Sequence, residues 1–461
     1  IHDGGHLVLH RDPFGIKPLY VAEGDFGLLF ASEPQALVAS GLVAAATDDG
    51  SLAEVAQLQF SCGARTPWAG IRRLLPGETL VVRAGRVVDS RRRAALPPGG
   101  PRPWTRDDAL MELDRLLTDS VTLHQRSDVP YGMFLSGGVD SSVVLAMMAR
   151  LNDRPVVAFT AGFPDTGVHD ERDHARAVAQ AAGAEHHEVA VSEDDFWAHL
   201  PAIAAAVDDP TPDYAVLPTY LLARAARAAG LKVVLSGEGG DELFGGYGRY
   251  RRAGRPRLLG GRPMRARGAL DGLLRDDGGA WRAAYGVTEI RDGGRTALQA
   301  AQATDIADWL PHDLLTKLDR CLMAHGVEGR VPFVDPVLAD FALTLPDALK
   351  VRRGQGKWLL RAWLNTALPA ARPFTPKRGF TVPVGDWIAR RAADLGPRVA
   401  ASPVVERLCR PGAVDGLFRS LTRGQADRRA GQAAWTLLFL ALWHRAHRDG
   451  ATIDGGVMDV L

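Results

Sequence analysis

Residues 129–235 alternate between two side-chain periodicities, and few folds accommodate that alternation. Residues 129–135, 155–161 and 232–235 are short apolar runs of strand length. Residues 141–151, 171–182 and 217–229 repeat their apolar positions at helical spacing. A strand that returns parallel to its neighbour needs a crossover of about a dozen residues, usually a helix. The order therefore predicts an α/β domain, a parallel sheet covered by helices. Upstream, Thr105-Arg-Asp-Asp108 has N-cap chemistry, and Leu110, Leu113, Leu116, Leu117 and Val121 follow at helical spacing.

Residues 1–95 differ in character. Leu7-Val-Leu9, Leu28-Leu-Phe30 and Thr79-Leu-Val-Val82 are apolar runs parted by Gly, Pro and Asp turns, as in part of an antiparallel β unit. The Pro/Gly-rich stretch 96–104 sustains neither helix nor central strand and reads as a linker, leaving 105–461 as a second domain. Beyond about residue 250 the pattern is mostly helical, with 249–275 reading as a mobile basic loop. The most apolar run, 433–443, is far short of the roughly 20 residues of a spanning helix and predicts a buried C-terminal helix. Residues 1–5 show no signal-peptide pattern. Lys+Arg 55 against Asp+Glu 54 leaves no overall field to recruit nucleic acid or an anionic membrane. Cys62, Cys321 and Cys409 are too far apart for a disulfide framework or clustered zinc site, so a cytoplasmic setting is expected.

Chemistry concentrates at the ends of two predicted strands. Leu135-Ser-Gly-Gly-Val-Asp-Ser-Ser142 stands between a strand and a helix. Gly137 and Gly138 let backbone approach a ligand, Ser136, Ser141 and Ser142 add hydroxyls, and a helix N-terminus offers N–H groups to phosphate. Asp140 suits such an anion cradle only if a divalent metal joins it to the phosphate. No Gly-Lys-Ser/Thr follows, so this is not a Walker loop. It resembles instead the pyrophosphate-binding loop of ATP pyrophosphatases, which cleave between the α- and β-phosphates. Leu235-Ser-Gly-Glu-Gly-Gly-Asp-Glu-Leu-Phe-Gly-Gly-Tyr247 stands at another strand end, where ligands of open α/β sheets gather. Glu238, Asp241 and Glu242 there crowd negative charge that metal or cationic groups must compensate. Two weaker segments follow, Leu318–Asp335 with Glu328 and Arg330, and Thr375–Pro383 with Lys377. Lys377 could stabilise negative charge in a transition state. A structural ion pair is the plain reading of Glu328 and Arg330, and packing that of Cys321 and His325.

The order of all four segments resembles the glutamine-dependent asparagine synthetases of the class B type. Arg11-Asp-Pro-Phe-Gly-Ile-Lys-Pro-Leu-Tyr20 and Phe30-Ala-Ser-Glu33 look like the closing part of that family's glutaminase domain, so the resemblance covers nearly the whole chain. It implies an ATP-pyrophosphatase type of synthetase domain and a partial amidotransferase β unit. The family's N-terminal nucleophilic cysteine has no counterpart, since residue 1 is Ile, and the chain is expected to be a fragment lacking roughly a hundred residues. Such a fragment is not expected to hydrolyse glutamine.

The resemblance further implies ATP-dependent amidation of aspartate through β-aspartyl-AMP, with ammonia normally drawn from glutamine. Leu135 and Ala161 would hold adenine through backbone groups. Ser136, Gly137, Gly138, Ser141 and Ser142 would hold pyrophosphate, Asp140 and Asp241 would bind Mg²⁺, and Ser236 and Gly237 would flank the nucleotide. Glu238 would help form the adenylate and handle ammonia, while Glu328 and Lys377 would shape the pocket. A sister reading is an amidotransferase or cyclase acting on another carboxylate, and Glu238 argues against the β-lactam type, where tyrosine is expected. A non-catalytic nucleotide-binding subunit is the reading from another class. A homodimer is left open.

Overall fold

The computed structural model of the chain describes residues 2–164, 166–168, 170–253, 258, 264, 268–276, 280–287, 294–376, 381–424, 427–450 and 453–461. The first 92 residues carry seven strands: β1 (His2–Asp3), β2 (His6–His10), β3 (Tyr20–Gly24), β4 (Gly27–Ala31), β5 (Arg72–Arg73), β6 (Glu78–Arg83) and β7 (Arg86–Arg92). They form two antiparallel sheets, ordered β1-β2-β6-β7 and β4-β3-β5. Alternation fixes the register, Leu9 opposite Leu80 and Leu7 opposite Val82, and puts Leu9, Val21, Leu74, Leu80 and Val82 in one buried cluster.

Two helices in this region were not anticipated, Pro34–Ala39 and Asp49–Leu58. The second is capped by Asp48, whose carboxylate accepts from the Ser51 amide at 2.8 Å, and it buries Leu52, Val55, Ala56 and Leu58.

The remaining five strands are β8 (Tyr131–Phe134), β9 (Val157–Gly162), β10 (Glu185–Ala190), β11 (Val233–Leu235) and β12 (Glu328–Arg330). They pair in the order β10-β9-β8-β11-β12, every neighbouring pair parallel. The mixed α/β reading with a parallel sheet stands. The chain moves from β8 to β9 on one side and later returns to place β11 on the other. The gap between β8 and β11 is therefore a topological switch point, and the loops leaving both strands open there side by side.

Helices Arg106–His124, Val139–Leu151, Arg172–Ala181, Glu193–Ala206 and Val216–Ala228 cover the sheet. Thr105 caps the first of them as expected, accepting from the Asp108 amide at 3.2 Å. Strand β10 and helix Glu193–Ala206 escaped the periodicity reading, because Glu185-His-His-Glu188 is too polar to look like a strand.

The C-terminal half is helical. Helix Arg428–His447 buries residues 433–444 almost continuously, which matches the buried-helix expectation. Among the described residues no helix is long and apolar enough to cross a membrane. The stretch 249–275 is not one loop. Arg249 lies in helix Gly248–Ala253 with its guanidinium 2.9 Å from Asp305, and Leu270 and Leu274 are buried. Residues 254–257, 259–263 and 265–267 lie outside the described residues.

Candidate active site

The loop after β8 folds on its own hydroxyls. Ser136 Oγ lies 3.1 Å from Ser141 Oγ, the Ser136 amide donates to Ser141 Oγ at 3.2 Å, and the Gly138 amide donates to Ser136 Oγ at 3.2 Å. Gly137 has φ +71°, in the left-handed region that glycine adopts freely, and its ideal Cβ would stand 3.0 Å from His174. Helix Val139–Leu151 begins at Gly138 with no side-chain cap. Its first amides and its dipole therefore face the opening of the loop, the arrangement that favours an anion. Ser142 turns inward, with a fully buried hydroxyl.

The loop after β11 packs directly on this helix start. A Cβ on Gly237 would lie 2.9 Å from the Ser141 amide, and one on Gly240 would lie 2.5 Å from the Asp140 carboxyl. Only glycine at both positions lets the two loops meet so closely. Ser236 is anchored by its amide, which donates to the Arg330 carbonyl at 2.8 Å. Ser136, Gly137, Gly138, Asp140, Ser141, Ser236, Gly237 and Asp241 thus gather where the two loops meet, called the crevice below.

Asp140 and Asp241 converge on a residue absent from the sequence-based site, Lys357. Its ammonium is salt-bridged to Asp140 and lies 2.6 Å from Asp241. Burial opposes its charge, but the two carboxylates outweigh burial and hold it above the ordinary lysine range. Gly356 brings Lys357 in, for a Cβ there would stand 2.3 Å from the Gly245 carbonyl. The sequence signal was present: Gly354-Gln-Gly-Lys357 is another glycine-rich entry to a helix, Trp358–Ala367.

Glu238 lies in the same loop. Burial pushes its carboxyl up, Lys317 pulls it back, and Asp213, Asp241 and Asp140 push it up further. Lys317 donates to Asp213 at 2.7 Å, and both are buried. Next along the loop, Glu242 is pushed to about 8, first by burial and then by Asp241, while the Tyr247 hydroxyl donates to it at 2.7 Å.

Three expectations come out differently. Leu135 spends its amide on the Phe159 carbonyl at 2.8 Å, and its carbonyl accepts from Thr160 Oγ1 at 2.5 Å. That leaves one carbonyl lone pair there and no amide for a base edge. Ala161 sits inside β9, paired with Val189 of β10. Glu328 is the clear correction. It opens β12 opposite Val233, at the amino end of the strands, whereas the loops leave the carboxyl end. Its carboxylate is held by Arg330 at 3.0 Å, which also donates to the His124 and Arg126 carbonyls. Arg330 holds it below the usual carboxylate range, so Glu328 is a structural partner outside the crevice. Lys377 lies outside the described residues; the chain before it is tethered by Arg361, whose guanidinium donates to the Pro373 carbonyl. Cys321 and His325 pack as read, the thiol buried and the imidazole edge-on to Tyr220 at 4.3 Å.

Comparison with known proteins gives the same organisation a family. The asparagine synthase family profile matches residues 112–445 and the glutamine amidotransferase domain profile matches residues 2–92. A Mycobacterium tuberculosis protein assigned as a glutamine-hydrolysing asparagine synthetase is 34% identical over 489 residues, covering 95% of this chain and 74% of its own. Asparagine synthetase 1 of Bacillus subtilis is 30% identical over 94% of this chain and 74% of its own. Asparagine synthetase B of Escherichia coli is 30% identical over 64% of this chain and 48% of its own. With a profile spanning most of its length and relatives aligned over nearly all of this chain, the chain belongs to the asparagine synthase family of carbon–nitrogen ligases.

Proposed function

We propose that the chain amidates aspartate at the expense of ATP, passing through a β-aspartyl adenylate and taking ammonia that glutamine hydrolysis supplies. One observation carries the reading: glycines 237 and 240 seat the second loop on Asp140 and Ser141, so that an uncapped helix N-terminus and two convergent carboxylates share a crevice. An open helix start suits a phosphate chain, and an ATP-pyrophosphatase fold is the architecture that presents it.

The fit to Mg²⁺ rests on the donor set. Asp140 and Asp241 come from different loops, yet both reach one cation, here the Lys357 ammonium. Bound there, Mg²⁺ would supply charge neutralisation for a phosphate chain. A carboxylate is a poor acyl donor because oxide is a poor leaving group. Attack of the β-carboxylate oxygen on the α-phosphorus forms the mixed anhydride and breaks the bond to pyrophosphate. The loop amides, with Lys357, stabilise the charge on the departing group. Ammonia then attacks the acyl carbon and AMP leaves. Glu238, whose carboxyl is raised by burial, is placed to take the proton that nitrogen sheds. Lys377 keeps the charge-stabilising role that the family resemblance implies. Leu135 offers adenine a carbonyl lone pair at most, and Ala161 offers it backbone only.

The test is a panel of carboxylic acids assayed for ammonium-dependent pyrophosphate release. Aspartate is expected to lead the panel, with asparagine and AMP formed in equal amounts. Release of orthophosphate and ADP instead would overturn the phosphate chemistry. Preference for a different acid would move the chain to the sister reading.

A further inference from the structure

Lys317 and Asp213, paired at 2.7 Å, both act electrostatically on Glu238, but neither is fixed by its own neighbourhood alone. Asp213 ends a fully buried stretch, residues 208–213, that links helix Glu193–Ala206 to helix Val216–Ala228. Lys317 belongs to helix Leu315–Met323, which continues a π-helix, Asp305–Leu314. The N-terminal sheets grip both elements. Arg73 of β5 donates to both oxygens of Asp209 at 2.6 Å, and the Tyr20 hydroxyl of β3 donates to Asp209 at 2.8 Å. Trp68 Nε1 donates to the Asp208 carbonyl at 2.8 Å, and Gln59 donates to the Pro212 carbonyl at 2.6 Å. On the helix side, the Gly63 amide donates to Asp308 at 2.9 Å, and Lys17 donates to Asp319 at 2.9 Å. Each contact starts within the first 73 residues and ends on the 208–213 stretch or on the continuous helix, residues 305–323, that carries Lys317.

Arg73 is the strongest of these grips. It is 1% exposed, and its remaining donors go to the Ser61 and Arg65 carbonyls and to Ser61 Oγ. A guanidinium bonded on every edge has one orientation, and it passes that rigidity to Asp209, four residues from Asp213. Pro210 and Pro212 stiffen the stretch between them.

We infer that Arg73 is a positioning residue for the synthetase step: through Asp209 it sets the 208–213 stretch so that Asp213 holds Lys317 beside Glu238. This rests on the function proposed above and deepens it. The N-terminal unit then matters to amide formation even when free ammonium supplies the nitrogen and no glutamine is present.

The experiment uses the full chain. Arg73→Met alone would strand a buried carboxylate, so it is paired with Asp209→Leu, which removes both charges together. With aspartate, ATP and ammonium, the paired variant is expected to lose at least tenfold in kcat, with KM for ATP within twofold of the parent. A kcat within threefold of the parent overturns the inference, as does a loss that resides in the KM for ATP. Should the pair not fold, Tyr20→Phe removes one bond to Asp209 at constant shape. A threefold or greater fall in its kcat supports the inference, and a smaller change overturns it. A crystal structure of the paired variant gives a readout free of turnover. The Lys317–Asp213 contact is expected to open beyond hydrogen-bond reach, and a preserved contact overturns the inference. Failure of the unaltered chain to release pyrophosphate would instead sink the functional reading, and the crystallographic result would still decide the role of Arg73.

Discussion

The crevice and the contact with the N-terminal sheets each hold a cluster of buried charge, and the two are built differently. In the crevice, Asp140 and Asp241, from two different loops, both pair with the ammonium of Lys357. Glycines 237, 240, 246 and 356 surround them and contribute no side chain. At the contact with the N-terminal sheets, Arg73 and Asp209 meet one to one through both carboxylate oxygens, with Trp68, Tyr20 and Trp443 packed nearby. There, the remaining Arg73 donors are taken up by the Ser61 and Arg65 carbonyls. A balanced, closed cluster fixes a fold. A glycine-lined one lets backbone and carboxylates approach a ligand closely. The difference lies in burial and side-chain volume: the Asp140 and Asp241 side chains are 15% and 17% exposed, those of Arg73 and Asp209 2% and 1%.

The largest expected effect breaks the comparison if it fails. Asp140→Ala removes one of the two carboxylates that Lys357 bridges. Pyrophosphate release should fall about a thousandfold, ~4 kcal/mol of lost transition-state stabilisation. The melting temperature should stay within a few degrees of the parent. Retained turnover would remove Asp140 from the chemistry, and a large stability loss would make the crevice a structural cluster like the other.

Arg73→Met is the mirror experiment on stability. It leaves Asp209 charged, buried and without its guanidinium, and should cost about 3–4 kcal/mol in denaturant unfolding. A cost below about 1 kcal/mol would mean that the pair does not fix the contact.

Gly240→Ala tests the space rather than the charge. Gly240 has no left-handed backbone, so the only obstacle is the Asp140 carboxyl 2.5 Å from the new Cβ. Displacing that carboxyl should cost about tenfold in pyrophosphate release, ~1.4 kcal/mol, with the fold intact. Gly416, in helix Ala413–Thr422, is the control, because a Cβ there meets nothing within 4 Å. Gly416→Ala should leave activity unchanged and stabilise by up to about 1 kcal/mol. Equal effects at the two glycines would remove steric exclusion as the reason for glycine in the crevice.

The crevice was more legible in the sequence than the balanced cluster, for physical reasons. Glycine next to serine and acid at a strand end is a local pattern, and both loops showed it before any fold was known. The parallel sheet was legible because β8, β9 and β11 are apolar enough to display their period. Strand β10 was not, because an edge strand faces water and carries Glu185, His186, His187 and Glu188. Arg73, Asp209, Lys317 and Asp213 were invisible for another reason. Their partners lie 136 and 104 residues apart, and no local spacing encodes such a pair. Lys357 falls between, since its glycine-flanked approach was readable but its target was not. Glu328 shows the converse error. A family motif drew it toward the site, whereas Arg330, two residues on along the same strand face, already satisfied it.

The smallest expected effect sharpens the comparison through pH. His447 lies in the same contact as the balanced cluster, its ring 5.9 Å from that of Trp68 and 5.4 Å from that of Trp443. Its Nε2 is 3.2 Å from the Ala204 carbonyl. Burial pushes its pKa down to about 4, with the Ala204 carbonyl opposing. The unfolded chain takes up a proton near pH 6.5 that the folded chain refuses until about pH 4. Its contribution to stability is therefore complete above pH 6.5 and is lost as pH falls toward 4, by about 1–3 kcal/mol. His312, buried and held low first by burial and then by Arg73, Arg11 and Arg92, acts in the same direction. His447→Gln keeps a donor for the Ala204 carbonyl but cannot titrate. Its unfolding free energy should vary less between pH 6.5 and pH 4 than that of the parent, whatever its value at neutral pH. An unchanged pH slope would place the acid sensitivity outside His447. A slope that followed Asp140→Ala instead would mean that protons act on the crevice rather than on the contact with the N-terminal sheets.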